Sequence, residues 1–74
     1  MKKFNFPVVV EGDDSGYFVF CPVLQGCYSQ GETYEDAIKN IQDAIRLHIE
    51  DILSVKGTIE VPKTLSLTSL EVAV

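Results

Sequence analysis

Few residues of this chain have the type and spacing that catalysis requires. It holds a single histidine, His48. A Ser-His-Asp or Cys-His pair would have to use that imidazole. His48 falls within the apolar series of a helical repeat, and no neighbouring motif supplies a nucleophile or an orienting acid, so it reads as a packed or boundary residue. The two cysteines, Cys21 and Cys27, are too few for a disulfide scaffold. A zinc site normally takes four ligands, and only the distant His48 could join them. Buried free thiols are the expected state, with a local disulfide as the alternative in a hyperthermophile. Glu11, Asp13, Asp14, Glu32 and Glu71 could in principle bind Mg²⁺. Asp13 and Asp14, however, lie on a turn, where acids are routine, which leaves Glu11 and Glu71 as the strand-borne acids. Two-metal chemistry asks for more convergent groups than these. Gly12 and Gly16 flank a hairpin turn and not a strand-to-helix junction, so they form no phosphate-cradling motif. The expectation is a binding protein with no catalytic residue, no cofactor and no metal.

Charge indicates what it would bind. A net charge of −5 and a pI near 4.5 argue against direct nucleic-acid binding, which uses a clustered basic surface. They suit a basic protein partner, drawn in by long-range attraction, although a solvated acidic face is the plainer reading. The acids placed for such contact are Glu11, Asp13 and Asp14 near the first hairpin and Glu32 at the helix entry. Met1-Lys2-Lys3 is basic, but the apolar run after it is broken by Asn5, Pro7 and Glu11 and has no small-residue cleavage site. Nothing approaches the ~20 apolar residues of a membrane span. A soluble cytoplasmic protein is expected.

One long helix must position these groups. From Thr33 to Lys56, residues Tyr34, Ile38, Ile41, Ile45, His48, Ile52 and Val55 recur in alternating steps of four and three, which keeps them on one face. Ala37, Ala44, Ile49 and Leu53 widen that stripe, as suits a helix lying on a sheet. Thr33 is a good N-cap with Asp36 three residues on, and Gly57 is the natural stop. Before the helix, Phe4–Glu11 alternates as a strand. Gly12-Asp13-Asp14-Ser15-Gly16 is dense in turn formers, Tyr17–Cys21 is an apolar strand, and Cys27–Gln30 a short third one. A hairpin pairing Glu11 with Tyr17 would turn Val8, Val10, Phe18 and Phe20 toward the helix and leave Val9, Tyr17, Val19 and Cys21 on the other face. That face is too apolar for water alone. With so small a core, Val9, Tyr17 and Val19 are expected to form the interface of a homo-oligomer, a dimer or higher. Beyond the helix, Ile59 and Val61 alternate in a connector containing Pro62. Leu70, Val72 and Val74 alternate as a final strand. A right-handed crossover would bring that strand in beside the first. The expected architecture is α+β: a β-β-β-α-β single domain over residues 1–74, one mixed sheet in the order 3-2-1-4, with the helix on one face.

The strand Phe6-Pro7-Val8-Val9-Val10-Glu11, the turn Asp13-Asp14-Ser15-Gly16-Tyr17, the corner Cys21-Pro22-Val23-Leu24-Gln25-Gly26-Cys27, the step Ser29-Gln30-Gly31-Glu32-Thr33 and the helix opening Glu35-Asp36-Ala37 together resemble the HicB-like antitoxin family. The likeness covers roughly Phe6 to Ile52. Each piece alone is weak, whereas their order and spacing are specific. The chain departs from the usual corner at Val23, where an acid is common, and at Gln25, often Pro. The resemblance implies a partial ribonuclease-H-like fold without the nuclease site. It also implies that the chain silences a small basic mRNA-cleaving toxin of the HicA type by occlusion. Many members carry a C-terminal DNA-binding domain. This chain reads as the short form without it, so direct DNA binding is not expected. An orphan scaffold protein and a minimal metal-dependent nuclease are the alternatives.

Overall fold

The computed structural model describes residues 4–55, 57–60 and 64–74. Its elements follow in the order β1 (Val9–Asp13), β2 (Gly16–Phe20), β3 (Tyr28–Gly31) and α1 (Tyr34–Ser54). The strands form one antiparallel sheet, ordered β1-β2-β3. Helix α1 packs chiefly on β3 and β2. The fold is α+β, with three of the expected strands in the expected relative order.

The fourth strand is a correction. Residues 64–74 join no strand, and Leu70–Val74 lies exposed instead of pairing beside β1. The sheet of the described residues is therefore antiparallel and not mixed, and the 3-2-1-4 order stops at three strands. Alternation tells which side chains would share one face of a strand. It does not tell which edge that strand will find.

The register of the first hairpin is a second correction. Glu11 stands opposite Phe18, Val10 opposite Val19 and Val9 opposite Phe20, one residue away from the expected pairing. The turn explains the slip. The Asp13 carboxylate accepts hydrogen bonds from both the Ser15 N–H, at 2.8 Å, and the Ser15 hydroxyl, at 2.7 Å. This Asx-type lock draws Asp13 opposite Gly16 and leaves only Asp14 and Ser15 in the loop. Gly16 accommodates the reversal at φ 136°, a backbone angle that side-chain-bearing residues rarely adopt.

A one-residue slip exchanges faces. Val19 becomes fully buried beneath α1 with Ala37 and Ile41, and Val10 and Tyr17 pack on the same cluster. Phe18, Phe20 and Val9 take the opposite face. Tyr17 and Val19 thus lie on the side covered by the chain's own helix, and only Val9 of the three expected interface residues remains outside. Cys21, Leu24 and Cys27 complete the core from the corner after β2. There the Cys21 N–H donates to the Cys27 carbonyl at 2.9 Å. Both cysteines are free and buried, and burial, with Cys21 alongside, pushes the Cys27 thiol up.

Thr33 caps α1 as expected, its hydroxyl oxygen accepting from the Asp36 N–H at 3.1 Å. At the other end the Gly57 N–H donates to the Ile52 carbonyl at 2.9 Å, the long bond of a Schellman-type stop. Lys56, the last residue of the expected helix, and Val61 and Pro62 of the connector lie outside the described residues.

Candidate functional site

The junction of β3 with α1 is unusually close. A Cβ built on Gly31 would lie 2.5 Å from the Ala37 backbone nitrogen, so only glycine lets the strand end against the first helical turn. Asn40 reinforces the contact, its side-chain amide donating to the Gln30 carbonyl at 2.8 Å. The β1–β2 hairpin leans on the same junction through Tyr17, whose ring meets Tyr34 edge-on at 6.2 Å. These contacts fix the hairpin, the β3 end and the helix start against one another.

The result is an open concavity lined by Glu11 and Asp13 of β1, Tyr17 and Phe18 of β2, Gln30 and Gly31 of β3, and Glu32, Asp36, Lys39 and Asn40 around the helix start. Of the four acids expected to contact a partner, the fold brings Glu11, Asp13 and Glu32 together here. Asp14, at the tip of the turn, does not line it. Asp36 was not expected in this role, because its place three residues after the N-cap already explained it. The signal that could have found it is Gly31, whose missing side chain lets the strand end approach the helix start.

Against four carboxylates the concavity carries one cation, Lys39. The Ser15 hydroxyl and N–H hold the Asp13 carboxyl below the usual aspartate range, which keeps that charge in place at neutral and mildly acidic pH. Asp36 sits where the helix dipole favours an anion. An aromatic surface adjoins the concavity. Phe18, 42% exposed, stacks on Tyr28, 63% exposed, at 5.8 Å, and also meets Phe20 at 6.5 Å. The slipped register put these rings outside. Among the described residues no three His, Cys, Asp or Glu side chains are grouped to hold a metal ion, and no described helix is long and apolar enough to cross a membrane.

Residues 6–72 match the family described as HicB_like antitoxin of bacterial toxin-antitoxin system. The chain belongs to the HicB-like antitoxin family. It is 50% identical over 52 residues to a UPF0150 protein of Synechocystis sp., covering 69% of this chain and 66% of that protein. With a UPF0150 protein of Helicobacter pylori the identity is 52% over 44 residues, covering 60% of this chain and 61% of the relative. The chain thus spans slightly under two thirds of the length of these relatives. Its structure is similar to the crystal structure of the N-terminal domain of Burkholderia pseudomallei antitoxin HicB, with a TM-score of 0.71 and 39% identity over 81% of this chain and 72% of that one. The HicB-like likeness thus takes in sheet and helix together.

Proposed function

We propose that this HicB-like domain is an antitoxin that binds and silences a small basic RNA-cleaving toxin of the HicA type by covering its surface. The observation that carries the reading is the convergence of Glu11, Asp13, Glu32 and Asp36 on one concavity beside exposed Phe18. The acids speed encounter with a cationic partner and fix its orientation. The rings of Phe18 and Tyr28 supply desolvated area, which carries most of the affinity at such contacts. Family membership supports the toxin as partner.

On this reading the domain works by occlusion in the cytoplasm, without catalysis. The nuclease alternative leaned on Glu11 and Glu71 as strand-borne acids, yet Glu71 lies in the exposed segment that joins no strand. A net charge of −5 opposes direct DNA binding by these residues.

The test is co-expression with a HicA-like toxin encoded beside this gene. Growth should be rescued and the two proteins should co-elute. Changing Glu11, Asp13 and Glu32 together to Gln, Asn and Gln should slow association by about tenfold at low salt and by much less at high salt. Failure of both rescue and co-elution would show that this chain is not the antitoxin of that toxin.

A further inference from the structure

On the flank of the sheet away from β3, β1 ends the ladder with its outer edge unpaired among the described residues. Between the segment that leads into β1 and the helix lies an open apolar groove, closed at one end by residues 57–59. Phe6 and Val8, leading into β1, form one wall, and Ile38, Ile45, Ile49 and Leu53 of α1 form the other. Because α1 packs chiefly on β3 and β2, β1 and the residues leading into it are the part of the sheet that the helix covers least.

The same chain carries an apolar strand-like segment that no described element covers. Residues 64–74 are exposed throughout. Leu67 is 86% exposed, Leu70 83% and Val72 75%. Leu70, Val72 and Val74 alternate with Glu71 and Ala73, so in an extended conformation the three would share one face. The expanded overall shape agrees with a segment that stands off its own body. The Cα radius of gyration is 14.3 Å and the longest extent 44 Å, whereas a compact chain of this length has a radius of about 11 Å.

From these observations we infer that residues 64–74 of one copy dock as a strand on the outer edge of β1 in a second copy, filling its groove, and that the exchange is reciprocal. A two-fold arrangement satisfies both vacancies at once, since each copy gives one segment and receives one. Strand addition pairs the free backbone groups of β1, and the alternate side chains enter the apolar groove. Charge agrees with this occupant. Glu71 is the segment's only charged side chain, and Arg46 on the rim of the groove is free to meet it apart from a 3.7 Å contact with Asp43 on the same helix. The exchange uses a different part of the surface from the acidic concavity, so it stands independently of the toxin reading.

Sedimentation of the full chain at micromolar concentration should give a dimer. Leu70→Lys with Val72→Lys should weaken that dimer by about 100-fold or more while leaving the far-ultraviolet circular dichroism of the domain unchanged. In a mixture of isotope-labelled and unlabelled chains, filtered NOE spectra should connect the Val72 methyls of one copy to Val8 or Ile45 of the other. A monomer would overturn the proposal, and so would a dimer indifferent to the double substitution. If Val72–Val8 contacts arise only within a labelled chain, the segment closes its own sheet and the exchange is wrong.

Discussion

The two halves of α1 carry one continuous apolar stripe and meet different surroundings. In the first half, Ala37 and Ile41 are fully buried against Val19 and the cysteine corner. In the second half, Ile45, Ile49 and Ile52 continue the stripe but are only half-buried, and Leu53 and Val55 are exposed. Length explains the contrast. A 21-residue helix is about 31 Å long, and a five-residue strand about 17 Å. The helix outruns the sheet, and its last turns lie over Phe4, Phe6 and the 57–59 connector. Periodicity identifies the side chains that face inward. It carries no information on how much protein they will meet there.

Truncation at equivalent positions is the strongest way to break this comparison. Ile41→Ala should destabilise the domain by about 2–5 kcal/mol, because its cavity is enclosed on every side. Ile49→Ala should cost less than about half as much, since water already reaches it. Denaturant midpoints measured at a concentration low enough to disfavour self-association would check both. Equal losses would mean that the two halves are equally packed in solution.

A somewhat smaller effect is expected at the seam that anchors the first half. Gly31→Ala places a Cβ 2.5 Å from the Ala37 nitrogen, and the strand end and helix start must part to admit it. Overpacking of this kind costs about 1–3 kcal/mol. The same separation would widen the acidic concavity, so the variant should lose affinity for the proposed toxin partner even at temperatures where it stays folded.

The parts of the fold that depend on neighbours in the sequence were readable in it. Thr33 as the cap, the apolar stripe of α1, the stop at Gly57 and the three strands in order all follow from local spacing. What could not be read depends on geometry set elsewhere. The hairpin register turns on one Asx-type lock at Asp13 and Ser15, and from that slip follow both the burial of Val19 and the exposure of Phe18. Glu11, Asp13 and Glu32, expected to meet a partner, line one concavity with Asp36, where the strand end reaches the helix start only because Gly31 has no side chain. Leu70–Val74 alternates as a strand does, but alternation names no partner. The family resemblance is shown over residues 6–72, but the strand order it implied was the one that periodicity also gave, and the described sheet holds only three of its strands.

Thr33→Ala should cost about 1 kcal/mol, since the Asp36 N–H loses its acceptor. The loss should fall on the first helical turn and leave the overhanging half unaffected. Amide exchange at Glu35, Asp36 and Ala37 would speed up while that of Ile49 and Ile52 would not.

The smallest effect expected is electrostatic, and it tests whether the turn helps to hold Val19 beneath the first half of the helix. The Ser15 hydroxyl and N–H hold the Asp13 carboxyl below its ordinary value. A carboxyl depressed in the folded state binds its proton less tightly there than in the unfolded chain. Its contribution to stability is therefore complete above the unfolded value and fades as pH falls through the folded one. Asp13 is exposed, so solvent screens the effect and the change in stability will be slight. Its titration is the better observable. Ser15→Ala removes the hydroxyl donor at 2.7 Å and leaves the backbone donor at 2.8 Å. The Asp13 carboxyl, followed by NMR, should then titrate closer to the ordinary aspartate range without reaching it. Asp13→Asn would still accept from the Ser15 N–H, whereas Asp13→Ala removes the acceptor of both bonds. If the lock sets the register, cross-strand NOEs between Val10 and Val19 should weaken in that variant, and Val19 should begin to leave the core. Unchanged NOEs would mean that the packing of Val19 under Ala37 and Ile41 sets the register by itself, and that the turn merely follows it.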